Sequence, residues 1–496
     1  MSTGTQHVLL SLGVALHVPG LMALLSLPVC LLAGETYAVP ALLATAAPAL
    51  LAGQVLYRSH RHAYGQAQVR TAMVAAVATW LLIPLICALP LLLIAQALPA
   101  ESAAAALGQV ANAVFEAISG FTSTGLSMVE RPGELPHIVQ WWRSLMQWVG
   151  GVGVIVLMLT VFHPAGDAHR LYFAEARVEV FAKDIAATVR DIWWIYGAYT
   201  LLAAGLLAAS GMTWWQALNY GMAGIATGGF GTTDQSLGDF GAAARVVMIL
   251  TMLLGAISFG THYRILAERE VKLLWQRVEN VVLLALAVSG ALLLALENRW
   301  YLGEFAWLDS AFQLVSALTT TGFSTVAIAE WSPSALLLLV LAMICGGVAG
   351  STTGGLKLNR VVLLGEAIYA RVHGIIRQPW RLLLHRRITA EDEEPHAVRL
   401  LEAAAVMLSL WVLTLAFGTI VLLHFVPPGT LFEHALLEVA SALGNVGLSS
   451  GITSPDLPLG GKLTLMVIMW LGRLEIVPVL VLFGALISPP HRRQES

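Results

Sequence analysis

Long apolar runs separated by short polar segments set the pattern of this chain. Ten runs approach or exceed the roughly 20 residues that a helix needs to cross a bilayer: 8–33, 38–57, 71–98, 138–163, 191–212, 242–263, 278–298, 334–376, 398–426 and 461–487. The run 334–376 is interrupted by glycines. The connections after the third, fifth, seventh and ninth runs share a different layout. Each opens with a half-length, moderately apolar helix, too short to cross, and continues through a Gly/Thr/Ser segment into the next full run. The pattern predicts an all-α polytopic membrane protein.

Basic residues orient these spans. Of 27 Lys and Arg, 20 fall on one side: Arg58, Arg61, Arg70, Arg170, Arg177, Lys183, Arg190, Arg264, Arg269, Lys272, Arg277, Arg360, Arg371, Arg377, Arg381, Arg386, Arg387, Arg399, Arg492 and Arg493. The other side carries Arg131, Arg143, Arg245, Arg299 and Lys462. The positive-inside rule makes the first side cytoplasmic, and an even number of spans then places both termini there. The outer loops lean acidic, through Glu101, Glu130, Glu134, Asp234, Asp239, Glu304, Asp309, Glu330, Glu433 and Asp456. Those acids are either solvated loop residues or a field that concentrates cations at a mouth.

The four odd connections form an internal repeat. Aligned on one glycine they read SGFTSTGLS (119–127), AGIATGGFG (223–231), SALTTTGFS (316–324) and SALGNVGLS (441–449). The aligned glycines are Gly125, Gly229, Gly322 and Gly447. Twelve residues earlier stand Ala113, Ala217, Ser310 and Ala435, and nine earlier stand Glu116, Tyr220, Gln313 and Glu438. Irregular backbone at membrane depth is tolerated only inside protein or along a water-filled cavity. Four such loops can surround one axis. Glycine admits positive φ, which lets successive carbonyls face that axis, and a ring of carbonyls can replace the hydration shell of K⁺. The half helices can aim their partially negative C-termini at the same point. The bland alternative is that the glycines only let helices pack closely.

Composition agrees with a membrane protein. Of 496 residues, 57% are hydrophobic and 11% charged, against about 25% charged in soluble domains. Mean hydropathy is +0.76. This excludes a soluble enzyme, a disordered chain, a coiled coil and a disulfide scaffold. The net charge of −3 argues against nucleic acid as a partner. Cys30, Cys87 and Cys345 are widely spaced in apolar runs and read as packing residues. Residues 8–33 lack a basic leader and exceed a signal-peptide core, so no cleavable signal is expected.

These residues resemble the Trk/Ktr/HKT superfamily of potassium transporters, and most of all its bacterial Trk membrane subunit. QWVGGVGVIVL (147–157), GGVAGSTTGGLK (346–357) and LGRLEIVPVLVLF (471–483) carry the resemblance beyond the four loops. It implies two extra N-terminal helices (1–70) and four repeats (71–170, 171–270, 271–385, 386–496) around a pore. It implies K⁺ uptake across a bacterial inner membrane, with K⁺ the transported ion and no organic cofactor. It further implies a homodimer and a cytoplasmic nucleotide-binding regulatory ring of the TrkA type. The ion path would be lined by Thr122, Ser123, Thr124 and Gly125; Thr227, Gly228 and Gly229; Thr320, Thr321 and Gly322; and Asn445, Val446 and Gly447. Two repeats depart from the pattern: Gly228 stands where others have Thr124, Thr321 and Val446, and Gly444–Asn445 replaces hydroxyl residues. A Na⁺-coupled or Na⁺-permeable transporter is therefore the nearest alternative.

An intramembrane gate is expected at Gly346, Gly347, Gly350, Ser351, Thr352, Thr353, Gly354 and Gly355, because so many glycines disfavour a continuous helix. Arg473 lies at similar depth and can donate to loop carbonyls or oppose a passing cation. With Glu475 it is either functional or one half of a structural ion pair. Glu116 and Glu438 either hydrogen-bond the loop backbone or face a vestibule. GSTTGGLK lacks the Gly-Lys-Ser/Thr core of a phosphate-binding loop. No catalytic grouping stands out, and an intramembrane enzyme would need one unique polar site where the chain has four equivalent ones. The run EDEE (391–394) reads as a solvated cytoplasmic loop or a partner contact.

Overall fold

The computed structural model describes residues 3–63, 69–153, 185–303, 306–376 and 394–487, and among these there is no strand. The loop stretches 164–184 and 377–393, the end of the run 138–163 beyond Gly153, and the terminal basic pair Arg492 and Arg493 lie outside the described residues.

Two N-terminal elements precede the repeats. Helices α1 (Thr3–Ala15) and α2 (His17–Leu32) form one long apolar run and pack on α3 (Val39–His60). Each repeat then contributes a long helix, a half helix and a second long helix. Repeat 1 supplies α4 (Val69–Gln96), α5 (Val110–Phe121) and α6 (His137–Val152). Repeat 2 supplies α7 (Ile185–Ala209), α8 (Trp214–Ile225), α9 (Ala242–Ala256) and α10 (Phe259–Ala267). A single turn, α11 (Leu273–Gln276), leads into repeat 3, with α12 (Val278–Leu302), α13 (Trp307–Leu318), α14 (Pro333–Cys345) and α15 (Leu358–Ile376). Repeat 4 has α16 (Glu394–Leu423), α17 (Phe432–Gly444), α18 (Leu459–Arg473) and α19 (Val477–Ile487).

Local chemistry sets several of the helix starts. Thr213 and Gln216 form a reciprocal capping box on α8, and Ser332 caps α14. The start of α6 is capped from elsewhere: the Glu35 carboxylate, between α2 and α3, accepts from the backbone N–H of His137 and Ile138, both at 2.8 Å. This ties the N-terminal pair to repeat 1 and satisfies donors that a helix start leaves unpaired.

The repeats close into a ring. The second helix of each repeat packs on the half helix of the next: α6 on α8, α9 on α13, α14 on α17, and α18 back on α5. Glycines let second helices also pack tightly against the half helix of their own repeat. At Gly150, a Cβ would fall on the carbonyl oxygen of Phe121, the last residue of α5; at Gly472, it would fall on that of Leu443. At Gly255, it would lie 3.0 Å from the Ile225 oxygen at the end of α8.

Two apolar runs expected to be continuous are broken. The run 242–263 bends by 101° between α9 and α10, and 461–487 bends by 107° between α18 and α19. The run 334–376 breaks as expected, into α14, an irregular segment and α15. At the first bend Ser258 caps α10 by accepting from Thr261 N–H. The second bend places Glu475 and Ile476 at φ +57° and +61°. Windowed hydropathy averages across such a turn and does not register it. Arg143 and Lys462, counted above with outer charges, are buried on α6 and α18 rather than in loops.

The close approach at Gly150 gives a test. Gly150→Val drives a branched side chain into the Phe121 backbone and is expected to cost about 1–3 kcal/mol or more. Gly205→Ala on α7, where a Cβ meets nothing within 4 Å, is expected to be neutral or stabilising by up to about 1 kcal/mol. Thermal unfolding of the detergent-solubilised chain should separate the two.

Candidate functional site

Each half helix ends in the same backbone turn. The residue two before the aligned glycine is left-handed although it is not glycine: Ser123 (φ 55°), Thr227 (50°), Thr320 (51°) and Asn445 (52°). The next residue donates its N–H back to the helix, in a six-to-one bond: Thr124 to Ser119 O (2.9 Å), Gly228 to Ala223 O (2.9 Å), Thr321 to Ser316 O (2.8 Å) and Val446 to Ser441 O (2.8 Å). This satisfies the last carbonyls of each helix. A β-branched Thr at positive φ costs of order 1–3 kcal/mol, so the surrounding contacts hold it there.

Those contacts turn the side chains of these residues outward. Thr320 Oγ1 accepts from Gly354 N–H at 2.8 Å, and Thr227 Oγ1 reaches Thr352 Oγ1 at 3.2 Å. Asn445 Nδ2 donates to Thr124 Oγ1 (3.0 Å) and Met469 O (2.9 Å). Thr122 and Thr319 bond the hydroxyls of Thr124 and Thr321 at 2.7 and 2.8 Å. The backbone is left to face the centre.

The four glycines meet there. Gly125, Gly229, Gly322 and Gly447 have φ of 90°, 83°, 83° and 101°. A Cβ on Gly125 would fall on the oxygen of Gly228, on Gly229 on that of Thr321, on Gly322 on that of Val446, and on Gly447 on that of Thr124. Each such Cβ would also lie 2.9–3.4 Å from the Cα of the next glycine. The order 125, 229, 322, 447 and back to 125 is a closed ring of repeats. Conformation and space both demand glycine at these four positions.

Cavities lie on either side. On the face assigned outward by charge, a cavity of about 270 Å³ is lined by all four glycines with Ser127, Ser324, Ser449 and Asp234. On the other face, a cavity of about 50 Å³, room for only a few waters, is lined by Ser351, Thr353, Gly354, Asn445, Gly472 and Arg473, among others. The glycine-rich segment of repeat 3 forms its wall and is pinned to repeat 2. Val348 N–H donates to Ala256 O (3.0 Å), Phe259 N–H to Gly350 O (3.0 Å) and Thr352 Oγ1 to Gly255 O (3.0 Å). Gly346, Gly350 and Gly355 have positive φ, and Gly347 and Gly354 approach backbone or side chains too closely for a Cβ.

Arg473 spans three repeats. It donates to Thr352 O (3.4 Å) and to Gly150 O (2.5 Å), and its guanidinium lies 5.0 Å from the Trp80 ring. Glu475 pairs with Arg360 on α15 at 2.5 Å. The two charges of the last span thus serve different partners.

Nine residues before each glycine, a buried polar side chain ties the half helix to the outgoing segment. Glu116 accepts from Met128 N–H (2.7 Å) and Ser127 Oγ (3.0 Å), and Glu438 accepts from Ser450 N–H (2.9 Å) and Ser449 Oγ (2.5 Å). Tyr220 Oη meets Thr233 Oγ1 at 2.9 Å, and Gln313 Nε2 donates to Val326 O at 3.0 Å. Of the two readings of Glu116 and Glu438, the backbone-bonding one describes this structure. Glu116 also forms a fully buried ion pair with Arg143 at 2.7 Å, and that guanidinium lies 4.2 Å from the Phe230 ring.

Comparison with known proteins agrees with this architecture. The TrkH family, described as a cation transport protein, matches residues 39–491. The chain belongs to the TrkH family. A cation transporter of Methanocaldococcus jannaschii, itself uncharacterized, is 32% identical over 416 residues, covering 84% of this chain and 82% of that protein. The Trk system potassium uptake protein TrkH of Halomonas elongata is 30% identical over 446 residues, covering 87% and 88%. The crystal structure of the potassium transporter TrkH from Vibrio parahaemolyticus superposes with a TM-score of 0.76 at 25% identity, over 96% of this chain and 98% of that one. As a TrkH-family chain, this protein is a membrane transporter and not an enzyme.

Several TrkH site features escaped the sequence. Gly150, Gly255 and Gly472 recur 25 or 26 residues after their ring glycines, just before their second helices end; a second pass over the repeat would have found them, and Gly347, already expected in the gate, takes the same place in repeat 3 just beyond the end of α14. The Arg143 partnership had no sequence signal, because Arg143 lies 27 residues from Glu116. Arg143→Ala leaves a buried carboxylate without its cation and is expected to cost about 3–5 kcal/mol. The double variant Glu116→Gln/Arg143→Met should lose less. Melting temperatures in detergent provide the check.

Proposed function

We propose that this chain takes up K⁺ across a bacterial inner membrane, with both termini in the cytoplasm. The ion path runs through the four-glycine ring. The observation that carries this reading is the closed circuit of glycine-to-carbonyl contacts between successive repeats, at the C-terminal ends of four half helices. Backbone oxygens crowd one axis there, and the helix dipoles point partial negative charge at it. Thr122, Ser123, Thr124 and their counterparts shape the ring, while the backbone binds the ion. The repeat boundaries given above and a K⁺ cargo are part of this proposal, as is a homodimer with one path per protomer. The family's named potassium uptake relatives support the choice of ion.

The glycine-rich segment 346–355 and Arg473 form the gate. The segment and the arginine both line the narrow inner cavity, and Arg473 donates to the segment directly. Opening requires these bonds to be exchanged for others. A nucleotide-binding regulatory ring docking on loops 164–190, 264–277 and 377–399 would drive that exchange; of these loops, 264–277 is fully described and carries Arg264, Arg269, Lys272 and Arg277.

Gly322→Ser tests the ring. The added side chain collides with the Val446 carbonyl, so K⁺ over Na⁺ uptake should fall at matched membrane expression. An unchanged ratio in substitutions at all four ring glycines would contradict the proposal. Deleting part of 348–354, or Arg473→Ala, should raise K⁺ flux in proteoliposomes at matched protein content. A flux that stays flat or falls in both variants would remove the gate. Recovery of full activity without any Rossmann-type companion would remove the regulatory partner.

A further inference from the structure

Gln147 on α6 is fully buried and stands three residues before Gly150. The same position relative to Gly255, Gly347 and Gly472 holds Met252, Ile344 and Met469. Only repeat 1 therefore places a hydrogen-bonding side chain here. Its amide crosses into repeat 2 and grips the ring segment on both sides of Gly229: Nε2 donates to Gly228 O, and Oε1 accepts from Phe230 N–H at 3.0 Å. The amide is satisfied at both ends, which fixes its orientation. The equivalent carbonyls of Thr124, Thr321 and Val446 accept no hydrogen bond among the described residues.

The same amide accounts for Gly228 being a glycine. A Cβ there would stand 2.5 Å from Gln147 Cδ and 2.6 Å from Oε1. The threonine that repeats 1 and 3 carry at this position would have to displace the Gln147 side chain. A polar residue in one repeat and a missing side chain in the next are thus two halves of one arrangement. Its effect is on the ring itself, since the oxygen that Gln147 binds is the one packed against Gly125. A carbonyl that shares its lone pairs with an amide donor offers a weaker field to a cation, while the two bonds hold its position more firmly.

We propose that Gln147 is a positioning residue which, paired with Gly228, sets the ion selectivity of the ring through repeat 2. This rests on the ring being the ion path. The test is the K⁺ to Na⁺ uptake ratio of the full chain in proteoliposomes, which does not depend on yield. Gln147→Ala and Gly228→Thr should each lower the ratio about tenfold, the equivalent of one or two hydrogen bonds. Gln147→Glu, which keeps the volume and the acceptor toward Phe230 but sets an oxygen against Gly228 O, should lower it as well. The double variant Gln147→Ala/Gly228→Thr refills the vacated space with the side chain found in repeats 1 and 3. It should lie closer to the parent than either single change, a coupling that independent sites do not show. An unaltered ratio in Gln147→Ala and Gln147→Glu, or simple additivity in the double variant, would overturn the proposal. Gly125→Ala, measured alongside, separates the two layers. If it shifts the ratio while the Gln147 variants do not, the ring stands and the pairing falls; if none shifts it, the ring reading falls too.

Discussion

Four backbones meet where no side chain fits. Each ring glycine puts its Cα against the carbonyl of the preceding residue in the next repeat's loop, and a single added carbon on any of the four would occupy the place of an oxygen. That constraint fixes much around it. The half helices must end in a tight turn to deliver the ring segment, so Ser123, Thr227, Thr320 and Asn445 take the left-handed region despite carrying side chains. Their hydroxyls and amide then have to be satisfied away from the axis, and the second helices and the glycine-rich segment supply the partners.

The second helices answer to the same geometry. To brace three of the four half-helix ends at close range they carry glycine at Gly150, Gly255 and Gly472, where backbone touches backbone. Each described second helix also ends near that depth: α6 at Val152, α9 at Ala256, α14 at Cys345 and α18 at Arg473. Among the described residues, only repeat 3 inserts a long irregular segment there. Its freed N–H and C=O groups find partners in repeats 2 and 4, as backbone at membrane depth must. Arg473 supplies the link from repeat 4, and its second set of bonds to Gly150 and Gly151 carries that link on to repeat 1. A change at the inner constriction is thus felt in three repeats.

The half helices, the aligned glycines and the interruption in repeat 3 were legible in the sequence, because a fourfold repeat of composition needs no tertiary information. So were polar residues nine positions before each glycine, though not what they bond. The bends at 257 and 474–476 were hidden in runs whose average hydropathy stays high, and the second, although flanked by Arg473 and Glu475, contains no glycine or proline at the turn itself. The Glu116–Arg143 pair and the Gln147 clamp were hidden for another reason: each joins residues that only the folded ring brings together. Gly228 looked like a lapse in the pattern until the neighbour filling its space was seen. Departures from the repeat are local solutions to packing between non-identical neighbours, and Gly444, where a Cβ would stand 3.0 Å from Val446 Cγ2 and 3.2 Å from Met343 O, is a further case.

On this reading a cation sits on the axis of the glycine ring. Anomalous diffraction from crystals of the full chain grown with Tl⁺ in place of K⁺ tests it most directly. Anomalous density is expected between the carbonyls of Thr124, Gly228, Thr321 and Val446, displaced by excess K⁺. Density confined to other parts of the molecule, with the ring empty at saturating Tl⁺, would contradict it.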